Sequence, residues 1–131
     1  MFLGVDHVVI AVKDLDASVA RYEGIYGMEV SERRESPEAG MAMAFFRFPD
    51  SYVELVTATS EAGPVAKRLA TSGEGVHLIA MRVDGLEDTL NGLREQGIRL
   101  VGDPGPGNPV TGQVFLHPAA AGGVLTQLVE G

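Results

Sequence analysis

The chain has 131 residues, no cysteine and a formal net charge of −8, with 45% hydrophobic and 21% charged residues. This is the composition of a globular chain, and it excludes disulfides, thiolate nucleophiles and Cys-ligated metal centres. Ten basic against eighteen acidic residues oppose nucleic-acid binding, and no apolar run approaches the about 18 residues of a membrane span; we expect neither partner, and a soluble cytoplasmic protein.

The opening MFLGVDHVVIAVKD has no basic n-region and reaches Asp6 too early for a signal peptide. Val8, Ile10 and Val12 alternate with His7, Val9 and Ala11, the two-residue period of a strand. Asp14 is placed to cap a helix whose stripe is Leu15, Val19 and Tyr22, and Gly27 ends it. Runs at 28–34, 42–48 and 51–57 read as three more strands. Residues 58–74 form a linker in which Pro64 opens a short helix to about residue 70.

The pattern then repeats. Ile79, Met81 and Val83 make a strand face, and Asp84 with Glu87 resembles a capping box. Leu86, Leu90 and Leu93 make a helix stripe ended by Gly97, and strand-like runs follow at 98–101, 113–117 and 124–129. The Gly/Pro segment 102–112 reads equally as a connector or a lid. The expected fold class is α+β, one domain over 1–131 built of two βαβββ modules at about 1–57 and 75–131.

Register decides which residues are equivalent. An offset of 70 pairs His7 with His77 but sets Leu15 against Gly85 and Tyr22 against Gly92. An offset of 71 pairs Val12 with Val83, Leu15 with Leu86, Val19 with Leu90 and Tyr22 with Leu93. The hydrophobic phase selects 71, so His7 corresponds to Leu78, because a one-residue slip turns a strand side chain to the other face. His77 then shares the helix-facing side with Met81 and reads as structural. Glu54 corresponds to Gln127.

The segments DHVVIAVKDLDASVARYEGIYGMEV, VELV, GPVAKRL, GEGVHLIAMRVD, VFLHP and GGVLTQLVE resemble the vicinal oxygen chelate (glyoxalase/bleomycin-resistance) superfamily, and most closely its methylmalonyl-CoA epimerase branch. The resemblance implies two βαβββ modules forming a curled mixed sheet around a cleft, and a homodimer. It also implies four metal ligands, which fall on His7, Glu54, Leu78 and Gln127, and a further epimerase carboxylate, which falls on Met43. An aliphatic side chain has no lone pair, and an amide is a weaker ligand than a carboxylate. At most a weak divalent metal on His7, Glu54 and Gln127 is expected, and no tightly bound cofactor. Neither Met43 nor Gln127 can take a proton.

His7 and Glu54 are therefore the expected catalytic pair. Glu54, mid-strand between Val53 and Leu55, needs a partner if buried. Met43, Leu78, Gln127 and Arg82 are expected to contact a small-molecule substrate, with Arg82, like Arg47, either a carboxylate or phosphate ligand or a solvated strand end. Three functions compete: metal-free acid/base chemistry on an acyl thioester or related carbonyl compound; an atypical metal-dependent epimerase; and a metal-free small-molecule (antibiotic) binding protein. The absence of Trp and the presence of only eight aromatic residues weigh against the third.

Overall fold

A computed structural model describes residues 1–131. In chain order the elements are β1 (Phe2–Ala11), α1 (Leu15–Tyr26), β2 (Glu32–Ser36), β3 (Met41–Arg47), β4 (Tyr52–Ala58), α2 (Pro64–Ser72), β5 (Gly75–Val83), α3 (Leu86–Glu95), β6 (Leu100–Val101), β7 (Val114–Leu116) and β8 (Thr126–Glu130). The order β1-α1-β2-β3-β4, then β5-α3-β6-β7-β8, is the βαβββ pattern twice, with α2 in the connector. No helix is long and apolar enough to cross a membrane.

The chain divides into two compact units, His7–His77 and Leu78–Gly131 with Met1–Asp6. The first six residues thus leave the module that their sequence position suggested. Backbone pairing explains this: Asp84 N–H donates to the Met1 carbonyl at 2.7 Å, and the Met1 ammonium to the Asp84 carbonyl at 3.0 Å. Arg82 donates to Asp6 at 3.2 Å.

In the first unit β1 runs parallel to β4, and β4–β3 and β3–β2 are antiparallel. One sheet face, with Val12, Ala44, Phe46 and Leu55, closes on Val19, Leu15, Tyr22 and Tyr26 of α1. Asp14 Oδ1 accepts from Ala17 N–H at 3.0 Å, and Gly27, at φ 64°, ends the helix. The strand expected over 28–34 starts only at Glu32, since Val30 gives its N–H to the Glu23 carboxylate at 2.9 Å.

In the second unit β5 runs parallel to β8, with β8–β7 and β7–β6 antiparallel. Val83, Leu90, Val114 and Leu128 form its core, with Met81, Leu86 and Leu93 packed on it. The Asp84–Glu87 capping box does not form. Gly85 is the N-cap, at φ 75°. The Glu130 carboxylate, from the end of β8, accepts from Gly85 N–H at 2.9 Å and Leu86 N–H at 2.7 Å. Asp84, just past the end of β5, has its backbone N–H and carbonyl held by Met1, and its side chain makes no bond to the helix start. Segment 102–112 is an anchored connector: Arg94 binds Asp103, which also accepts from Gly105 N–H at 3.0 Å, and Val110 packs on the core.

Val9 lies opposite Glu54, which lies opposite Phe45; Ala80 lies opposite Gln127, which lies opposite Phe115. Val9 and Ala80 are 71 positions apart, so the register chosen on hydrophobic phase is the register of the fold.

Candidate active site

Side chains at paired positions of neighbouring strands share a face. In the first unit the face away from α1 carries His7 opposite Tyr52 opposite Arg47, Val9 opposite Glu54 opposite Phe45 opposite Glu32, and Met43 opposite Arg34. His7, Glu54 and Met43 are therefore on one side of one sheet, as expected from their parity.

His7 is 7% exposed, and its ring stacks on Tyr52 with centroids 4.3 Å apart and planes 10° from parallel. Tyr52 also meets Phe45 at 5.7 Å. Glu54, half-buried, lies opposite Phe45 and two positions along β4 from Tyr52. Burial pushes its carboxyl up from 4.5 to about 7, against a downward pull from the Arg34 charge. A carboxyl so poised is split between acid and base near neutral pH, the condition that general acid–base catalysis favours.

Arg34 and Arg47 flank this group. The Arg34 guanidinium lies 5.4 Å over Phe45, and that of Arg47 lies 5.3 Å over Phe45 and 5.1 Å over Tyr52. Both donate to the Glu32 carboxylate, whose carboxyl they hold below the ordinary range, Arg47 most strongly. Met43 lines a groove with Leu15, Arg33, Arg34, Glu35 and Ala42. Glu32, Arg34 and Tyr52 escaped the sequence reading. The signal was present: Glu32 and Arg34 alternate with Arg33 and Glu35, and the short turn to Met41 fixes which of them share the face of Phe45.

The other unit carries Leu78, Gln127 and Arg82. Leu78 is 8% exposed, Gln127 sits between Ala80 and Phe115, and Arg82 is paired with Asp6. His77, half-buried, has its imidazole pushed down by burial and, secondarily, by the Arg68 charge.

No three His, Cys, Asp or Glu side chains converge to hold an ion. Of the four positions that the resemblance marks as ligands, one is aliphatic and one is an amide, which leaves His7 and Glu54 as the ordinary ligand types. Such a donor set does not fit a resident divalent cation, and no step below passes through one.

Residues 6–115 match the glyoxalase/bleomycin resistance protein/dioxygenase superfamily. The chain belongs to that superfamily. It is 33% identical to the ethylmalonyl-CoA/methylmalonyl-CoA epimerase of Cereibacter sphaeroides over 95% of this chain and 96% of that one. Among solved structures, a Streptomyces coelicolor methylmalonyl-CoA epimerase in complex with 2-nitronate-propionyl-CoA is 36% identical, with a TM-score of 0.83 over 100% of this chain and 96% of that one. The Mycobacterium tuberculosis methylmalonyl-CoA epimerase is 35% identical, with a TM-score of 0.81 over 97% and 87% of the two chains. The superfamily member described here is thus an epimerase-like enzyme fold.

Proposed function

We propose that this protein moves the proton α to the carbonyl of an acyl thioester, with Glu54 as the group that takes and returns it. The observation that carries this reading is the Glu54 carboxyl, half-buried opposite Phe45 and poised at about 7. The Glu54 carboxylate takes the α-proton, the C–H electron pair forms the Cα=C bond of an enolate, and the carbonyl π pair moves onto the thioester oxygen. Return of a proton to carbon completes either exchange or, from the other face, inversion. His7, a diagonal neighbour of Glu54 on the same sheet face, is the second group able to carry a proton. The epimerase relatives and the acyl-CoA analogue bound to one of them support an acyl-CoA as substrate. Gln127 cannot transfer a proton, Leu78 is apolar and Arg82 is held by Asp6, so none of the three is given a step.

The stacked rings of His7 and Tyr52, with Phe45 beside them, favour a second reading, a metal-free binding protein that holds a planar ligand. One experiment separates the two. Methylmalonyl-CoA in deuterated buffer should lose its α-proton signal with the wild-type protein and keep it with Glu54→Gln. Binding without exchange in the wild type would select the second reading. The unpaired edge of β2, at the end of its strand order, also leads us to retain the homodimer; sedimentation giving the mass of one chain would reject it.

A further inference from the structure

We propose that Arg34 and Arg47 form a prebuilt clamp for an oxyanion, carboxylate or phosphate, of the molecule that reaches Glu54. The clamp itself follows from the side chains described; only the identity of the thioester probes rests on the function proposed above.

The two guanidiniums share one carboxylate. Arg47 Nη2 donates to Glu32 Oε1 at 3.0 Å, and Arg34 Nε donates to Glu32 Oε2. In the other arginine pairs, Arg33 with Asp16, Arg82 with Asp6, and Arg94 with Asp103 and Glu87, each guanidinium has a carboxylate of its own. Here two cations meet one anion, leaving an excess positive charge in a chain of net charge −8. Each guanidinium has five N–H donors, and one from each is used within the chain. Their side chains are 60% and 47% exposed, so the unused donors are reachable. Cation–π contact with Phe45 and Tyr52 holds the two guanidiniums over neighbouring rings, with N–H donors left for the in-plane bonds by which arginine binds carboxylate and phosphate. The ordering cost is met before a ligand arrives.

Position adds the functional sense. Phe45, under both guanidiniums, lies opposite Glu54 in the β3–β4 ladder, so an anion in the clamp would sit beside the acid/base carboxyl. Neutralising Arg34 there would weaken its pull on Glu54 and move the pH midpoint of proton transfer upward.

The test is calorimetric titration of the wild type, the Arg34→Met/Arg47→Met double variant, which keeps apolar cover over the rings, and Glu32→Gln. Methylmalonyl-CoA carries a carboxylate and phosphates, methylmalonyl-pantetheine only the carboxylate, and propionyl-CoA only the phosphates. Charged hydrogen bonds of this kind imply about a ten- to hundred-fold loss of affinity in the double variant. Loss confined to methylmalonyl-pantetheine and methylmalonyl-CoA identifies the carboxylate, and loss confined to the two CoA thioesters identifies a phosphate. Glu32→Gln, which removes the competing anion, should tighten binding of the same probes, a gain that misfolding cannot produce. If the wild type binds no thioester, the proposed function fails while the clamp is still tested by malonate and inorganic phosphate, followed through the NMR signals of the Arg34 and Arg47 Nε–H groups. Equal affinities across the three proteins, or no shift of those signals, would overturn the clamp.

Discussion

The two βαβββ modules are alike on one side and unlike on the other. Toward the helices, Ile10, Val12, Leu15, Val19 and Tyr22 have the counterparts Met81, Val83, Leu86, Leu90 and Leu93. Away from the helices, His7 faces the choice of Leu78, and Glu54 that of Gln127. Burial between sheet and helix accepts any apolar side chain of suitable volume and rejects a charge. The opposite face is free of that filter: in one copy it carries His7, Glu54, Tyr52 and Phe45, and in the other Gln127, Phe115 and Arg82, whose charge is already paired with Asp6. The helices differ as well: α1 is capped from its own sequence by Asp14, whereas α3 borrows Glu130 from the end of β8.

The largest expected effect tests whether chemistry resides in one copy. Glu54→Gln should slow α-proton exchange by about 10²–10⁴-fold, whereas Gln127→Ala should leave the exchange chemistry in place; equal losses would erase the distinction. In the wild type the base form grows as pH rises through about 7, so exchange limited by abstraction should rise over the same interval. Next come the cores, where the copies should behave alike. Phe46→Ala and Leu90→Ala, both fully buried, should cost about 3–5 and 2–5 kcal/mol in denaturant titrations.

The copies should part again in the pH dependence of stability. The folded Glu54 carboxyl is raised above its ordinary 4.5. Its contribution is complete below 4.5 and lost as pH rises toward 7, on the order of 1–3 kcal/mol. Glu54→Gln should recover that loss at pH 8 and change little at pH 4. Glu130 has the opposite sign: N–H donation from Leu86 and then Gly85 holds its carboxyl below the ordinary range, so its stabilisation is present at neutral pH and lost on acidification. The protection of α3 amides relative to their intrinsic exchange rate should therefore fall in acid for the wild type and lose that dependence in Glu130→Gln. A smaller cost, about 1 kcal/mol, is expected for Asp14→Ala at the α1 cap. Least of all, a chelator should leave exchange unchanged, because the donor set does not fit a resident cation; loss of activity with recovery on adding metal would contradict this.

The periodic part of the fold was legible. Alternation in β1 and β5 and the helix stripes fix both the elements and the offset of 71, because a slip would bury glycines where leucines are needed. The faces of His7, Glu54 and Met43 followed from parity alone. What escaped was whatever depends on partners distant in sequence. Asp84 looks like a cap until Met1 takes its backbone groups, and Glu130, which does the capping, lies 44 residues from Leu86. The start of β2 was lost to a side chain, Glu23, intercepting the Val30 N–H. The shared carboxylate of Arg34 and Arg47 needed the β2–β3 register, and charged, half-exposed strands carry little hydrophobic signal from which to read one.

The placement of Met1–Asp6 with the second unit also orders events in time. On the ribosome these residues emerge well before their partners Arg82 and Asp84, which follow more than 75 positions later. The His7–His77 segment has all of its own strands before then and can close around its core. The leading strand end must wait, and this long loop closure falls late in folding. A dissection of the protein should therefore succeed at His77 only if residues 1–6 are supplied to the trailing piece, while the intervening segment stands without them.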